Sequence, residues 1–263
     1  MPELPEVEAV VRRLRPLVEG ARIVSCGQWR ATTAKGTDCA VGRRIEGVDR
    51  RGKHILVRLE SGAFLRVHLK MTGNLTVVGD ARMRPPTVRA WFEFDDGRAM
   101  ALDDPRALGR VTFHERGEEN ELFRDLGPEP FSGEFTVDHL KNKARGVRKP
   151  VKTFLMDQRA VTGLGNIYAA EALFEAGIDP RRAAGRISTA RIGRLHAAIV
   201  GVLRVALDSA LRAYIEPGGF TEGENFPVAV YGRQGEPCPA CGKQVKRIIQ
   251  GGRSTYFCSN CQR

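Results

Sequence analysis

The first residues of the chain combine a candidate nucleophile with a carboxylate. Methionine before a small residue is normally removed, so we expect the mature chain to begin at Pro2, with a secondary amine at its terminus. An α-amine has an ordinary pKa of about 7.7–8.0, which leaves part of it neutral at physiological pH. Such an amine can attack an electrophilic carbon and form an imine-type intermediate, and Glu3 is suited to proton transfer. The pair indicates covalent amine catalysis, although this segment on its own fits a capped helix start better.

Four cysteines near the C-terminus form a metal-binding pattern. Cys238 and Cys241 make one CxxC pair, and Cys258 and Cys261 make a second pair after sixteen intervening residues. This spacing is typical of Zn²⁺ held tetrahedrally by four thiolates. A redox pair would explain one CxxC but not two at this separation. Because four thiolates leave no coordination position open, we expect one Zn²⁺ with a structural rather than a catalytic role.

The charge of the chain indicates its class of partner. Its 263 residues include 42 Lys and Arg against 31 Asp and Glu, a net charge of +11. This excess favours a polyanion, and nucleic acid before a membrane surface. We found neither an apolar run near the roughly 18 residues that span a bilayer nor a charged-then-apolar leader, so we expect a cytoplasmic protein. The cysteine-rich tail is basic and predicts a finger that contacts phosphates through Lys243, Lys246, Arg247 and Arg253.

The elements that position the N-terminal pair are a helix and a set of short strands. Apolar residues keep helical spacing from Leu4 to Val18, and Gly20 ends the run. Residues 21–116 contain short β-branched and aromatic segments separated by turn signals, which predict an antiparallel sandwich. The predicted strands include Arg22–Ser25, His54–Leu59, Phe64–Leu69, Val88–Phe94 and Ala99–Leu102.

The second half of the chain predicts helices followed by a small finger. Helical patterns cover 136–145, 151–157 and 166–176, and Ser188 can cap a longer helix that we expect to end at Tyr214. Residues between the two cysteine pairs can form a hairpin. The predicted fold class is therefore α+β: an N-terminal helix plus antiparallel β-sandwich, a helix–two-turns–helix domain and a four-cysteine zinc finger. We place the domain boundaries at 1–131, 132–227 and 228–263.

Ordered motifs along almost the whole chain carry a family resemblance. They run from MPELPEVE through RRGKHIL, HLKMTG, DPRALG and GLGNIYAAEALF to VYGRQGEPC and the four cysteines. In this combination the chain resembles the formamidopyrimidine-DNA glycosylase / endonuclease VIII family. Leu4 favours the formamidopyrimidine branch, since the other branch usually has Gly there. The resemblance implies a monomeric, nucleoid-associated DNA glycosylase with abasic-site (AP) lyase activity in base excision repair, acting on double-stranded DNA with damaged bases or abasic sites.

The resemblance also implies catalytic roles for four residues. Pro2 would form a Schiff base at C1′ of the damaged nucleotide, and Glu3 would assist loss of the base. Lys53 matches the family lysine of phosphate contact and β-elimination. Arg253 matches the arginine of phosphate binding and δ-elimination. Together these roles imply excision of an oxidised or ring-opened base followed by strand cleavage on both sides of the sugar.

Five further residues match DNA contacts of the family. Lys152 and Asn166 match phosphate contacts of the helix–two-turns–helix element. Met71 and Arg106 match residues that fill the gap left by the flipped nucleotide, a task that suits an unbranched apolar side chain and a hydrogen-bond donor. Leu108 ends this wedge where the branch usually has Phe, so we expect weaker stacking there.

One departure from the family and two alternative functions bear on the interpretation. The 220–229 connection is shorter than in relatives specialised for 8-oxoguanine, so we expect ring-opened purines, abasic sites and oxidised pyrimidines to be processed better. A catalytically silent DNA-binding or damage-sensing protein would share the basicity and the finger. An RNA-binding zinc ribbon would have no use for Pro2 and Glu3. The presence of both residues favours the enzyme.

Overall fold

The computed structural model describes residues 2–80, 82, 84–213 and 226–263. The chain divides into two compact units, Met1–Arg124 with Ser209–Glu222, and Asp125–Asp208 with Gly223–Arg263. Within the described residues, no helix is both long enough and apolar enough to cross a bilayer. Below, unit 1 denotes the first of these and unit 2 the second.

Unit 1 begins with the predicted N-terminal helix. Helix α1 spans Leu4–Val18, has a proline in its first turn and buries its apolar stripe. Gly20 follows with a φ of +86°, a conformation that glycine adopts at little cost. Its backbone N–H donates to Ile45 O at 2.9 Å. The start, the buried face and the stop of this helix are as the sequence predicts.

Two sheets make up the rest of unit 1, with strands β1 (Ile23–Gln28), β2 (Ala34–Lys35), β3 (Ile45–Arg51), β4 (His54–Leu59), β5 (Phe64–His68), β6 (Asn74–Val78), β7 (Val88–Phe94), β8 (Ala99–Asp103) and β9 (Arg110–His114). One sheet has the order β1-β7-β8-β6 and the other β2-β9-β5-β4-β3. Their described strand pairs are antiparallel apart from the short parallel contact of β2 with β9. The predicted sandwich is confirmed.

One apolar core joins α1 to both sheets. Burial of apolar area is the main favourable term in folding, at about 25 cal/mol per Å². The core includes Val10 and Leu14 from the helix, Ile55 and Val67 from one sheet, and Phe92 from the other. A short helix α2, Glu119–Phe123, follows the last strand. The core fixes the beginning of α1 relative to the strand ends that carry the candidate residues.

Unit 2 contains helices α3 (Val137–Ala144), α4 (Val151–Leu155), α5 (Asn166–Glu175) and most of α6 (Thr189–Ala213). Thr136 caps α3 by accepting the N–H of His139 at 3.0 Å. Their apolar faces share a second core, and the predicted helices are present. Helix α6 is described as far as Ala213, so Tyr214, where we predicted its end, lies outside the described residues.

The C-terminal finger of unit 2 is a two-stranded hairpin, β10 (Lys246–Gln250) with β11 (Arg253–Phe257). Gly251 and Gly252 connect the strands with φ values of +54° and +72°. A two-residue turn with positive φ at both positions is the arrangement that matches the twist of the strands. The hairpin predicted between the two cysteine pairs is confirmed.

Candidate functional site

The candidate N-terminal pair lies at the start of α1. Glu3 is the residue before the helix and is 2% exposed. Its backbone N–H donates to Glu6 Oε2 at 2.8 Å, within a capping-box arrangement. Pro2 is buried, and Met1 lies outside the described residues. The positive end of the helix dipole favours the carboxylates here.

The turn that carries Lys53 is fastened to the same helix. Gly52, with a φ of +57°, and Lys53, 7% exposed, connect β3 to β4. Arg50 donates to Glu8 Oε2 of α1 at 2.9 Å and to Gly52 O at 2.9 Å. Burial raises the pKa of the Glu8 carboxyl, but the hydrogen bonds of Arg12 and Arg50 outweigh it and hold that pKa below its usual value. Glu8 therefore stays charged and ties the Lys53 turn to α1.

Two partly buried histidines lie at the ends of the strands beside this turn. The rings of His54 and His68 meet edge to face, with centroids 4.7 Å apart. Burial lowers the pKa of His54 to about 3 and that of His68 to about 4, and nearby positive groups including Lys53 and Lys70 act in the same direction. Both rings are therefore neutral near pH 7, and they add no charge next to Lys53.

The three predicted wedge residues lie on two turns of unit 1. Met71 is 39% exposed and follows Lys70, whose φ is +57°. Arg106 is exposed, and Leu108 is 37% exposed. Between these two lies Ala107, with a φ of +54°. A positive φ is uncommon for residues other than glycine and marks turns that their surroundings hold in place.

One buried carboxylate connects the two turns. Asp104 is fully buried. Its Oδ1 accepts from Thr72 Oγ1 at 2.5 Å and from the backbone N–H of Arg106 at 3.2 Å. Its Oδ2 accepts from the backbone N–H groups of Leu108 and Gly109, at 2.7 and 2.6 Å. Since Thr72 follows Met71 directly, Asp104 brings both halves of the predicted wedge to one anchor.

In unit 2, Lys152 is the centre of a buried polar cluster. It is 1% exposed. Its ammonium donates to Asn166 Oδ1 at 2.6 Å, to Ser254 O at 2.8 Å and to Thr255 Oγ1 at 2.7 Å. The lysine therefore fastens the first residue of α5 to strand β11 of the finger. The direct phosphate contact that the resemblance implies for Lys152 stays a prediction.

The cluster sets the position of the two remaining candidates in unit 2. Asn166 begins α5, and its amide nitrogen also donates to Tyr231 Oη at 3.4 Å. Arg253 is exposed at the first position of β11, directly before Ser254. A polar side chain at a helix start and an exposed cation on the finger are both suited to phosphate groups. The structure thus holds Asn166 and Arg253 on a common support.

The four finger cysteines fit a zinc ion. Their sulfur atoms all lie within 4.8 Å of one another. Cys238 and Cys261 sulfurs are 3.8 Å apart, and Cys241 and Cys258 sulfurs 3.5 Å apart. Tetrahedral zinc with Zn–S bonds of about 2.3 Å places its sulfurs about 3.8 Å apart. The backbone hydrogen bond of Lys243 lowers the pKa of Cys241, whereas the neighbouring cysteines raise the pKa of Cys261. The site is closed and structural.

Two buried carboxylates were absent from the sequence-based candidates. Besides Asp104, Glu171 of α5 is buried and accepts three backbone N–H groups, from Ala229, Val230 and Tyr231, at 2.7, 3.1 and 2.7 Å. Burial is the largest influence on the pKa of Glu171 and raises it despite these hydrogen bonds. The local signals were slight: an Asp-Pro turn in one case and an acid on an apolar helix face in the other.

Three family models together match most of the chain. They are the formamidopyrimidine-DNA glycosylase N-terminal domain at residues 1–111, the formamidopyrimidine-DNA glycosylase H2TH domain at 126–214, and the zinc finger found in FPG and IleRS at 235–263. The formamidopyrimidine-DNA glycosylase of Stenotrophomonas maltophilia (strain K279a) is 41% identical over 272 residues, with 100% of both chains covered. That of Ruegeria sp. (strain TM1040) is 40% identical over 283 residues, again with 100% coverage of both.

Solved structures show the same similarity. The MutM (Fpg) protein of Thermus thermophilus has a TM-score of 0.89 and 41% identity, with 99% of this chain and 98% of that chain covered. A Lactococcus lactis FPG mutant in complex with Fapy-dG-containing DNA has a TM-score of 0.91 and 30% identity, with 100% of both chains covered. A MutM in complex with carbocyclic 8-oxo-G-containing DNA has a TM-score of 0.91 and 31% identity, with 100% of both chains covered.

Proposed function

Since the chain belongs to the formamidopyrimidine-DNA glycosylase family, we propose that it removes oxidised or ring-opened bases from duplex DNA and then cleaves the strand as an AP lyase. The observation that carries this proposal is the Pro2-Glu3 pair at the start of α1, with the Lys53 turn fastened to the same helix through Glu8 and Arg50. A capped helix start would explain Glu3 and Glu6 without catalysis, but the presence of Pro2 beside Glu3 favours the enzyme.

The proposed reaction begins at the amine of Pro2, after Met1 has been removed. Its lone pair forms a bond to C1′ of the damaged nucleotide, while the bond from C1′ to the base breaks and the base leaves with a proton. Glu3 is the group we assign to this proton transfer. The C1′–O4′ bond then breaks, O4′ takes up the proton that the proline nitrogen loses, and an iminium remains between the proline and C1′. The covalent intermediate divides one difficult substitution into easier steps.

Strand cleavage follows from the iminium by two eliminations. Loss of a proton from C2′ breaks the bond to the 3′ phosphate, and a second elimination releases the 5′ phosphate. We assign Lys53 to phosphate contact and β-elimination, and Arg253 to phosphate binding and δ-elimination. Both side chains are cations that can neutralise a phosphate. One buried and one exposed cation would serve separate phosphates of the substrate.

DNA binding in this proposal uses both units. The wedge of Met71, Arg106 and Leu108 would occupy the space left by an extruded nucleotide, because a base inside a duplex is out of reach of an amine. Asn166 would hold a phosphate from the start of α5. The related proteins that were solved in complex with DNA support duplex DNA as the partner. The division into a catalytic domain at 1–131, a DNA-binding domain at 132–227 and a zinc finger at 228–263 remains part of the proposal.

The most specific part of the proposal concerns which damaged base is the preferred substrate. We infer that ring-opened purines, abasic sites and oxidised pyrimidines are better substrates than 8-oxoguanine, because the 220–229 connection is short. Residues 220–225 lie outside the described part of the chain, and the inference therefore depends on sequence length alone. Single-turnover rates on matched duplexes check it: equal rates for 8-oxoguanine opposite cytosine and for a ring-opened purine would contradict it.

Substitution of Glu3 tests the proposed chemistry. Glu3→Gln should slow release of a ring-opened purine by about 10²–10⁴-fold, the usual contribution of a positioned acid or base. Cleavage of a preformed abasic site should suffer much less, since no base has to leave. Glu19→Gln, at the exposed end of the same helix, is the matched control and should retain both rates. Equal small losses in both reactions of Glu3→Gln would reduce Glu3 to a helix-capping residue.

A further inference from the structure

We propose that Asp104 is a positioning residue that sets the two halves of the DNA wedge in a single arrangement. The inference rests on the proposed function, because it concerns the step in which the damaged nucleotide leaves the duplex. Asp104 itself is fully buried and does not touch DNA. Its part is to hold Met71 on one turn and Arg106 and Leu108 on another.

The hydrogen bonds of Asp104 divide evenly between its two oxygens. Oδ1 receives the Thr72 hydroxyl and the Arg106 N–H, and so joins the two turns through one atom. Oδ2 receives the Leu108 and Gly109 N–H groups and closes the second turn on itself. A carboxylate offers about four acceptor directions, and all four are used. Charge-assisted hydrogen bonds of this kind are roughly twice as strong as neutral ones.

Both turns need such an anchor because their backbones are unfavourable. Lys70 and Ala107 have φ values of +57° and +54°, and neither is glycine. Conformations of this kind persist only where the surroundings hold them. The first turn is also tight: a Cβ added at Gly73 would lie 2.5 Å from Leu69 O. Without Asp104 each turn could relax separately, and the spacing between the wedge residues would no longer be fixed.

The second turn is held from its other side as well. Arg89 of β7 donates from Nε to Asp104 O at 2.8 Å and from a terminal nitrogen to Pro105 O at 3.2 Å. The backbone of residues 104 and 105 therefore stays attached to the sheet when the Asp104 carboxylate is changed. This attachment makes Asp104→Asn a test of the wedge spacing rather than of the loop as a whole.

The expected consequence is a slower extrusion step with unchanged chemistry. Extrusion needs apolar and cationic groups to enter the stack together, since each compensates part of the cost of unstacking. If the spacing between the two turns varied, the wedge residues would enter the base stack in the productive arrangement less often. The attack of Pro2 on an abasic site in single-stranded DNA needs no wedge, and it should therefore be insensitive to Asp104.

The experiment follows both steps in the full-length, zinc-loaded protein. A duplex with a ring-opened purine next to 2-aminopurine reports unstacking by stopped-flow fluorescence. Borohydride trapping on a single-stranded abasic oligonucleotide reports the chemistry. We expect Asp104→Asn to slow unstacking by about tenfold, the scale on which a hydrogen bond to a charged group acts. The trapping rate should change by less than about twofold, which is well below that scale.

Three further variants distinguish positioning from loss of fold. Asp103→Asn alters the adjacent carboxylate, whose Oδ1 has no hydrogen-bond partner in the described part of the chain, and should behave as wild type. Thr72→Val removes the hydroxyl that donates to Asp104 from the first turn, and it should slow unstacking by up to about tenfold, because this hydrogen bond is also made to a charged group. Thr72→Ser keeps that hydroxyl and should restore the wild-type rate. If Asp104→Asn fails to fold, the two Thr72 variants decide.

The outcomes separate the inference from the proposed function. Wild-type unstacking in both Asp104→Asn and Thr72→Val would overturn the role of Asp104, as would equal slowing of unstacking and single-strand trapping. A wild-type protein that unstacks the duplex but neither excises nor traps would contradict the proposed enzyme. In that case the unstacking rates of the variants would still decide whether Asp104 positions the wedge.

Discussion

The start of α1 and the C-terminal finger hold their candidate residues by different means. Glu3 and the Lys53 turn depend on a helix packed into an apolar core, with one ion pair between Glu8 and Arg50. Arg253 depends on four cysteines and on the buried ammonium of Lys152. The finger is too small to bury the apolar area that folding would need without the metal. Glu3 and Lys53, the proposed catalytic groups, are thus held by packing, and Arg253, the proposed phosphate-binding group, by a metal site and a buried charge.

Loss of zinc should produce the largest difference between the two regions. In small metal-dependent units the binding free energy is also folding free energy. Cys258→Ser should therefore unfold the finger and weaken duplex binding by about 100-fold or more, the equivalent of ~3 kcal/mol. The sandwich should keep its melting temperature, and trapping on single-stranded abasic DNA should persist. Cys39→Ser, an exposed cysteine of unit 1, is the control.

Metal content, affinity and thermal unfolding measured on the same samples test whether the finger and the sandwich are stabilised separately. Active wild-type protein that contains no zinc would show that the finger does not need the metal. A Cys258→Ser variant that loses the sandwich together with the finger would show that the two regions are not held separately.

Removal of the buried ammonium should have the next largest effect. Lys152→Met leaves Asn166 Oδ1, Ser254 O and Thr255 Oγ1 without their shared donor. Buried acceptors left unpaired cost about 1–3 kcal/mol each, so we expect the free energy of unfolding of unit 2 to fall by about 3 kcal/mol. Differential scanning calorimetry measures this change.

Lys149 provides the matched control for Lys152. It forms an ion pair with Asp157 at 2.8 Å, with both side chains more than a third exposed. Exposed ion pairs contribute about 0–1 kcal/mol, and Lys149→Met should cost no more than that. Similar losses for both variants would show that the buried hydrogen bonds of Lys152 contribute no more to stability than an exposed ion pair.

The pH dependence of stability should have opposite signs in the two units. In unit 1, the pKa values of His54 and His68 fall to about 3 and 4 on folding, from 6.5. Below pH 6.5 the unfolded chain binds more protons, so stability is lost as the pH falls. In unit 2, the pKa of Glu171 is raised by burial from 4.5. Its contribution is complete below pH 4.5 and is lost as the pH rises through the raised value.

Single substitutions isolate these two contributions. His54→Phe should reduce the loss of stability between pH 6 and pH 5 by about 1 kcal/mol, since one proton corresponds to ~1.4 kcal/mol per pH unit. Glu171→Gln should flatten the decline of unit 2 above pH 4.5. Thermal unfolding across this pH range measures both changes. An unaltered pH profile in His54→Phe would mean that the ring is not buried in its neutral form.

The sequence predicted what local patterns determine. The apolar spacing from Leu4 to Val18, the two CxxC pairs and the hairpin between those pairs each follow from short sequence patterns, and each is confirmed. The exposure of Met71 and Arg253 agrees with the roles that the resemblance implies. Those roles themselves stay predictions.

The burial and the hydrogen bonds of Lys152 and Asp104 could not be predicted, because their partners are distant in the chain. Nothing around Lys152 indicates burial, because its acceptors Ser254 and Thr255 lie about a hundred positions later. Asp104 similarly depends on Thr72, which belongs to another turn. Carboxylates and ammonium groups are normally exposed, so composition argues against such positions. Only the tertiary structure shows that these charges have partners.

Borohydride trapping tests the central claim that the N-terminal amine is the nucleophile. Protein shown by intact mass to begin at Pro2 is incubated with an abasic duplex and reduced. Proteolysis and mass spectrometry then locate the adduct. We expect a reduced adduct on the N-terminal peptide, weakened in Pro2→Gly and absent in protein that retains Met1. Processed wild-type protein that yields no adduct, or an adduct that maps to Lys53, would contradict it.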